Sequence, residues 1–328
     1  MIHASWFILP LAAFSVSLAA ARMLVVLAPR AGFTDDPGGR KRHARPMPLL
    51  GGAAMLAGGA VAVALRLCCH GGGARSALPL IATSLAAFGV GLADDRIELA
   101  PAAKLSGLAL IAGVAGVAAF AAGAGALSCA VLAAAVFFFA NAFNLLDNCD
   151  GGSATVAAAA LAALGLLTRQ QASAALAASA LGFLVWNWPP ARIFMGDAGS
   201  LMIGAWCAVC AWQPVRFEPL HIAHVLPVLW VPLYDTLSVI VLRVRRGDSV
   251  FVGGQDHYAH RLMRRGMSNA AADGVMAVQT LAAALAVRLL PAWVTPGMMV
   301  AGLALLLAAA GATECAVFSM TGTRNAHD

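Results

Sequence analysis

The sequence predicts an all-α protein that crosses a membrane many times. Of its 328 residues, 61% are hydrophobic and only 11% are charged, a balance that excludes a soluble domain with a solvated surface. Apolar stretches of about 17–25 residues recur along the chain, and each is long enough to cross a bilayer as a helix. We therefore expect a single polytopic transmembrane domain over residues 1–328.

Eleven predicted spans account for the apolar stretches. They are Ala4–Leu27, Pro48–Leu67, Ala77–Ala93, Leu105–Ala122, Leu127–Leu146, Ser153–Thr168, Ala172–Trp186, Ser200–Trp212, Ala223–Leu242, Ala270–Leu290 and Pro296–Phe318. Two Gly-Gly pairs in the second span favour close helix packing. The eighth span is short, and the ninth carries an acidic residue, Asp235, well inside the apolar segment.

The polar loops that follow spans one, three, five, seven and nine lie on the same membrane face. They cover about residues 29–47, 94–104, 147–152, 187–199 and 243–269. With the C-terminal tail they hold fifteen of the 21 Lys and Arg residues, whereas the opposite loops and span edges hold five. The positive-inside rule then predicts cytoplasmic polar loops, an N-terminus on the opposite side of the membrane and a cytoplasmic C-terminus.

Four polar residues follow one another at steps of three at the inner end of span five. They are Asn141, Asn144, Asp147 and Asp150. If the helix continues to Asp147, this spacing places them on one face. Carboxylates and amides are costly at membrane depth, so a group of them indicates a site for a metal or a polar ligand. The alternative is a plain helix end with turn-forming Asn, Asp and Gly residues.

Two further acidic motifs lie in the same set of loops. Asp94 and Asp95 close span three; adjacent carboxylates point in different directions, so one can face a site while the other holds a basic partner. A solvated loop is the alternative. Asp197 lies among glycines just before a predicted helix, where the backbone can approach an anion. Phe194 could stack on a nucleobase or insert into lipid.

The loop after span nine contains His257 and His260, which a helical turn would place on one side. No zinc-type partner set lies near them in the sequence. A cationic loop with His and Arg favours contact with a diphosphate through charge-assisted hydrogen bonds, and a structural loop role is the alternative. The neighbouring residues Arg261, Arg264 and Arg265 could equally anchor to anionic lipid.

The position of these clusters favours an enzyme at the membrane surface. A transporter or lipid-linked-sugar flippase, the rival class, more often has polar groups near the bilayer midplane and two repeated halves. The net charge of +6 does not indicate nucleic acid, because the basic residues lie in short loops between spans. Oxygen donors opposite a basic, His-bearing loop favour a Mg²⁺-dependent reaction on phosphates.

Taken together, the motifs resemble the polyprenyl-phosphate N-acetylhexosamine-1-phosphate transferase family, glycosyltransferase family 4. The matching pieces, in family order, are Asp36–His43 with Pro48 and Gly51-Gly52, Asp94–Arg96 with Lys104, Asn141–Gly151, Ala191–Ser200 and Asp256–Leu262. Any one of these pieces would be a weak signal, but five in order are specific. They cover the chain from Asp36 nearly to Ser268.

The resemblance implies that the phosphate of a lipid carrier, undecaprenyl phosphate in bacteria, attacks the β-phosphorus of a UDP-N-acetylhexosamine and releases UMP. It assigns Mg²⁺, with Mn²⁺ as a substitute, to Asn144 and Asp197. Asp94 and Asp95 would handle the lipid phosphate, with Asp94 as the base, and Lys104 would neutralise that phosphate. Electrostatic stabilisation and positioning would supply most of the rate.

The resemblance also implies the substrate contacts and the partners. Asp147, Asp150 and Phe194 would line the nucleotide pocket, His257 and His260 would meet the diphosphate, and Asn141, Lys41 and His43 would also contact the substrate. The implied partners are the UDP-sugar, undecaprenyl phosphate and the lipids of a bacterial inner membrane. A homodimer is an additional expectation, and no nucleic acid is expected.

The Asp-His-x-x-His-Arg-Leu form is similar to the N-acetylglucosamine-1-phosphate branch, which starts surface polysaccharides such as the O-antigen of lipopolysaccharide. The muramoyl-pentapeptide branch, the alternative, usually has three consecutive histidines, and this sequence lacks them. Asn148 and Gly152 depart from the commoner Asp-Gly-x-Asp-Gly-Leu pattern. We expect these departures to affect sugar and nucleotide contacts but not the catalytic oxygen donors.

Overall fold

The computed structural model describes residues 5–35, 46–70, 73–250, 254–291 and 293–305, and helices dominate these ranges. The helices are α1 (Ser5–Arg30), α2 (Gly51–His70), α3 (Ala74–Ile97), α4 (Pro101–Ala121), α5 (Ala126–Leu146), α6 (Gly152–Thr168), α7 (Gln171–Asn187), α8 (Gly196–Trp212), α9 (Trp230–Arg246), α10 (Tyr258–Arg264), α11 (Asn269–Leu289) and α12 (Pro296–Leu305). Three short 3₁₀ helices, Gln213–Val215, Pro219–His224 and Leu226–Leu229, connect α8 to α9.

The predicted all-α, polytopic class is confirmed. Eight segments in the described part of the chain are long and apolar enough to cross a membrane. Each of the eleven predicted spans overlaps a helix, but α6, α7 and α12 are shorter than those eight. The count of eleven spans and the orientation of the termini stay predictions.

Several helices continue beyond the ends of the predicted spans, and α3 does so at an acidic motif. Helix α3 runs on to Ile97, through Asp94 and Asp95, instead of ending at Ala93. Helix α4 begins at Pro101, because proline fits the first helical position. Hydropathy predicts the end of an apolar segment, and the helix itself can continue through polar residues whose side chains form hydrogen bonds or ion pairs. The predicted spans are therefore shorter than these helices.

A short antiparallel strand pair, which was not predicted, lies between α1 and α2. Its strands are β1 (Thr34–Asp35) and β2 (Met47–Pro48), with Thr34 opposite Pro48. The segment before α8 extends this arrangement: Phe194 N donates to Pro48 O at 2.9 Å, and Gly51 N donates to Phe194 O at 2.9 Å. These backbone hydrogen bonds fix the position of Phe194.

Helix α8 lies at the centre of the bundle, where Ala198 to Trp212 are all buried. Small residues permit its close contacts, since a Cβ at Gly52 would lie 2.5 Å from Gly199 N. Trp206 Nε1 donates to Ser84 Oγ of α3 at 2.7 Å, which joins the two helices in the interior. The first turn of α8 is therefore held from several sides, and that turn carries Asp197.

Candidate active site

Five of the residues singled out in the sequence meet at one end of the bundle. They are Asp94 and Asp95 near the end of α3, Lys104 in the first turn of α4, Asn144 in the last turn of α5 and Asp197 in the first turn of α8. Each lies within three residues of its helix end, so residues distant in the sequence converge where the helix ends do.

The centre of this cluster is an ion-pair and amide network around Asp197. Lys104 Nζ lies 2.8 Å from Asp94 Oδ2 and 3.3 Å from Asp197 Oδ2. Asn144 Nδ2 donates to Asp197 Oδ1 at 2.7 Å. The second oxygen of Asp94 accepts a hydrogen bond from Leu99 N at 2.9 Å. One ammonium group is thus shared between two carboxylates from two different helices.

The carboxylate of Asp95 binds the backbone at the start of α8, whereas that of Asp94 pairs with a basic side chain. Its Oδ1 accepts from Asp197 N at 2.7 Å and its Oδ2 accepts from Ala198 N at 3.1 Å. A carboxylate at this position satisfies two otherwise unpaired N–H groups and interacts favourably with the helix dipole. Gly196 makes room for it, because its φ is +70° and a Cβ there would lie 2.5 Å from Asp95 Oδ2.

Ser200, for which no role was predicted, completes the network. Asn144 Nδ2 donates to Ser200 Oγ at 3.0 Å, and Ser200 Oγ donates to the carbonyl of Asp197 at 3.4 Å. Because the amide nitrogen of Asn144 serves Asp197 and Ser200, the amide oxygen is the atom that can serve a metal. The i to i+3 spacing from Asp197 was the available signal, since it places both residues on one helical face.

The oxygen donors present fit Mg²⁺ better than zinc. The described residues contain no group of three or more His, Cys, Asp or Glu side chains arranged to hold an ion, as a closed zinc site would require. Mg²⁺ usually takes one or two carboxylates and completes its coordination with substrate phosphates and waters. Asp197 and the amide oxygen of Asn144 match that donor set.

Asp147 lies just after α5 and adds to the negative charge of the cluster. Burial, followed by the charges of Asp197, Asp95 and Asp150, raises the pKa of this carboxyl group well above its usual value. A cation bound nearby would lower this pKa again, because it would stabilise the ionised carboxylate.

The predicted nucleotide residue Asp150 joins the loop after α5 to the loop before α8. Asp150 Oδ2 accepts from Ala191 N at 2.9 Å. Asn187, which the sequence reasoning missed, accepts from Gly151 N at 3.1 Å and donates to Ile193 O at 2.9 Å. Asn187 is 3% exposed, so its role in the free protein is to hold the two loops together.

The histidine loop is anchored by a buried carboxylate. His257 Nδ1 lies 2.8 Å from Asp235 Oδ2, and Tyr258 N donates to Asp235 Oδ1 at 2.5 Å. Asp235 of α9 is fully buried, and His257 is 5% exposed. The acidic residue inside the ninth span therefore has a structural partner, and it fixes the start of α10.

The histidine loop lies close to the loop after α5. Asn269 Nδ2, at the start of α11, donates to Asp150 O at 3.2 Å. Burial, followed by the charges of Asp273, Asp147, Asp150 and Asp235, raises the pKa of the Cys149 thiol. These four carboxyl groups therefore contribute negative charge in the region of this loop.

The other residues predicted to bind the substrate differ in their position and burial. His260 is buried on α10, one turn after His257. Asn141 is half-buried on α5, one turn before Asn144. Phe194 is half-buried beside the strand pair. Lys41 and His43 lie outside the described residues. The functional roles assigned to all these residues stay predictions.

Comparison with known proteins identifies the family. The model of glycosyl transferase family 4 matches residues 77–214. A decaprenyl-phosphate N-acetylglucosaminephosphotransferase of Mycobacterium leprae is 30% identical over 79% of this chain and 77% of its own length. The chain belongs to glycosyl transferase family 4. The resemblance seen in the motifs is thereby confirmed, and this family 4 protein is a sugar-phosphate transferase.

Two further relatives of this family 4 protein are similar over the same share of the chain. A probable undecaprenyl-phosphate N-acetylglucosaminyl 1-phosphate transferase of Bacillus subtilis is 29% identical over 78% of each chain. An undecaprenyl-phosphate alpha-N-acetylglucosaminyl 1-phosphate transferase of Escherichia coli K12 is 28% identical over 79% of this chain and 76% of its own length. The matched family region runs from α3 to just beyond α8 and contains the whole network around Asp197.

Proposed function

We propose that this protein transfers N-acetylglucosamine-1-phosphate from UDP-N-acetylglucosamine to undecaprenyl phosphate, in a Mg²⁺-dependent reaction that begins a cell-surface polysaccharide. The observation that carries the proposal is the sharing of Lys104 Nζ between Asp94 and Asp197 at the converging helix ends. The names of three similar proteins, each acting on a polyprenyl phosphate and N-acetylglucosamine, support the substrates.

The reaction exchanges one phosphorus–oxygen bond for another. An oxygen of the lipid phosphate forms a bond to the β-phosphorus of the UDP-sugar. The bond from that phosphorus to the oxygen bridging it to the α-phosphorus breaks, and UMP leaves with this oxygen. Negative charge is present on both reactants, so neutralisation and positioning decide the rate.

Lys104 is suited to neutralise the attacking phosphate. Its side chain is 44% exposed while Asp94 is 6% exposed, so a phosphate can reach the ammonium group. Asp94 holds Lys104 from the protein side and is the carboxylate available to accept a proton from a protonated lipid phosphate. Asp95 contributes indirectly, because it fixes the backbone of Asp197.

The residues proposed to bind the metal lie next to Lys104. Asn144 and Asp197 would hold Mg²⁺, which when bound neutralises charge on the diphosphate. Ser200 orients the Asn144 amide so that its oxygen serves that role. Asp147 and Asp150 with Phe194 would meet the nucleotide, and the His257 loop would meet the diphosphate.

We also propose that this end of the bundle faces the cytoplasm of a bacterial cell, in the inner membrane. The support is the distribution of charge along the sequence, in which the loops at this end hold most of the Lys and Arg residues. UDP-sugars are made in the cytoplasm, so the two proposals are consistent.

The test uses purified protein, undecaprenyl phosphate, Mg²⁺ and a panel of UDP-N-acetylhexosamines, with UMP and lipid-linked sugar both measured. We expect both products from UDP-N-acetylglucosamine. Products from UDP-N-acetylmuramoyl-pentapeptide alone would contradict the proposed donor and leave the reaction type standing. No UMP from any donor, with folded protein, would contradict the proposed reaction.

A further inference from the structure

A polar pocket of about 410 Å³ lies at the end of the bundle opposite the candidate active site. It is formed where five helices begin or end. Its lining residues are Arg66, Ser76, Thr168, Arg169, Gln170, Gln171, Gln213, Pro214, Arg216 and Phe217. The volume is in the range of small-ligand sites.

Among the residues that the structure describes, the lining carries three arginines and no acidic residue. Arg66 lies four residues before the end of α2, Arg169 directly follows α6, and Arg216 follows the 3₁₀ turn after α8. Glu218 is near in sequence, but its Oε2 lies 2.8 Å from His221 Nδ1, with which it pairs. This concentration of positive charge among the described lining residues indicates an anionic occupant.

Hydrogen bonds between the helix ends give the pocket a fixed shape. Gln213 Nε2 donates to the carbonyl of Ser76 at 2.9 Å, which joins the end of α8 to the start of α3. Gln170 Nε2 donates to the carbonyl of Cys210 at 2.9 Å, which joins the α6–α7 turn to α8. These amides are held in place by protein groups, and the arginines are the charged donors that line the pocket.

The position of the pocket points to the membrane surface. The helices that line it cross the apolar part of the protein, so their ends lie where the bilayer ends. Phe217 is 75% exposed, and Arg216 Cζ lies 4.6 Å from the centroid of its ring. An exposed aromatic ring beside a cation is typical of the interfacial region, where lipid phosphates lie.

We propose that this pocket binds the phosphate of an anionic lipid headgroup, on the membrane face opposite the reaction. Guanidinium groups bind phosphate through paired, charge-assisted hydrogen bonds, and three of them at one pocket can surround it. The alternative is that the arginines only offset the dipoles of helix C-termini, which is consistent with the position of Arg169 directly after α6. That role predicts a loss of stability without any effect of lipid.

The site would be linked to the candidate active site by the helices themselves. Helix α3 begins beside Ser76 in the pocket and ends with the Asp94–Asp95 pair. Helix α8 begins at Asp197 and ends beside Gln213. A bound lipid would hold the far ends of both helices, so it would raise the unfolding temperature of the whole bundle.

The experiment measures the unfolding temperature of the purified full chain in a neutral detergent, during titration with dioctanoyl phosphatidylglycerol. Dioctanoyl phosphatidylcholine and sodium phosphate at matched ionic strength are titrated in parallel. The test variant is Arg169→Gln with Arg216→Gln. The control is Arg288→Gln, which removes an exposed cation near the same end of the bundle but outside the pocket.

We expect phosphatidylglycerol to stabilise the protein and the control variant equally, and to bind the double variant about thirtyfold more weakly, since each lost arginine weakens binding about fivefold. Equal responses of the double variant and the control would overturn the proposal, as would equal stabilisation by phosphatidylcholine. If sodium phosphate stabilises as strongly as phosphatidylglycerol, the lipid assignment is overturned in favour of free phosphate. Should the double variant not fold, Arg169→Gln alone is compared with the control, with fivefold weaker binding expected.

Discussion

The carboxylate of Asp95 caps the helix that carries Asp197, accepting hydrogen bonds from the N–H groups of Asp197 at 2.7 Å and Ala198 at 3.1 Å. The two aspartates come from different helices, α3 and α8, and are 102 residues apart in sequence. Asp95 is therefore a positioning residue, because it sets the backbone from which the Asp197 carboxylate reaches Lys104 and Asn144.

Asp95→Ala should reduce transfer activity and stability together. It removes both acceptors at the start of α8, and loss of a helix cap costs about 1 kcal/mol. We expect a lower unfolding temperature and a higher Mg²⁺ concentration for half-maximal activity, because the displaced residue is Asp197. Glu98→Gln, an exposed acid at the end of the same helix, is the control and should match the wild type. An unchanged Mg²⁺ requirement in Asp95→Ala would contradict the positioning role.

Lys104→Met should reduce kcat about a hundredfold or more, the usual loss when one charge-stabilising donor is removed from an active site. The reason is that Lys104 Nζ is the cation shared by Asp94 and Asp197. Lys104→Arg keeps the charge but replaces a point charge by a planar fork, so we expect it to recover only part of the activity. Steady-state kinetics with both substrates measure the effect. Full activity of Lys104→Met would remove the lysine from the reaction.

The sequence predicted the members of this network better than it predicted their contacts. Asp94 and Asp197 were found because their motifs place a carboxylate at the end or the start of a predicted span, and Lys104 was found through the resemblance to the family. The partners of Asp95 are backbone N–H groups, and these cannot be identified from residue types because nearly every residue carries one. Asn187 was missed because its role depends on two loops meeting in space.

For the fold as well, the sequence predicts where the helices lie but not how they pack against one another. Each span predicted from hydropathy overlaps a helix, because burial in lipid depends on local composition. Hydropathy could not show that α8 is enclosed by other helices, since α8 is no more apolar than α1, which faces outward along much of its length. The strand pair before α2 was also missed, because two residues on each strand carry no periodicity.

Asp197→Asn should abolish transfer while the protein remains folded. The substitution keeps the size of the side chain but removes the negative charge that would hold Mg²⁺ and that pairs with Lys104. Excess chelator should abolish the activity of the wild type, and added Mg²⁺ should restore it. Activity measured beside the unfolding temperature separates a lost site from a lost fold. Ordinary turnover in Asp197→Asn, or full activity in chelator, would contradict the metal assignment.

Acid should weaken the histidine loop through Asp256. Burial alone would raise the pKa of this carboxyl group. Arg246, 2.9 Å away, and Arg243, 3.3 Å away, outweigh burial and lower the pKa below 3.8. A lowered pKa in the folded state means that the ionised form is stabilised. The contribution is complete above pH 3.8 and is lost as the pH falls through the lower, folded value. The unfolding temperatures of wild type and Asp256→Asn should differ by a constant amount near neutral pH and converge below about pH 4. A difference that grows towards low pH would contradict this sign.

Asp235→Ala should disrupt the histidine loop more than any exposed substitution in it. Asp235 is fully buried, and its two oxygens serve His257 Nδ1 and Tyr258 N. Their loss leaves a buried ring nitrogen and a buried N–H group without an acceptor, at about 1–3 kcal/mol for each unsatisfied group. We expect a lower unfolding temperature and a higher KM for the UDP-sugar, because His257 is the residue predicted to meet the diphosphate.

Asp248→Asn is the matched control, since it removes an exposed acid two residues after α9. If Asp235→Ala lowers the unfolding temperature but leaves KM and kcat unchanged, the loop has a structural role alone, and the diphosphate contact must come from other residues.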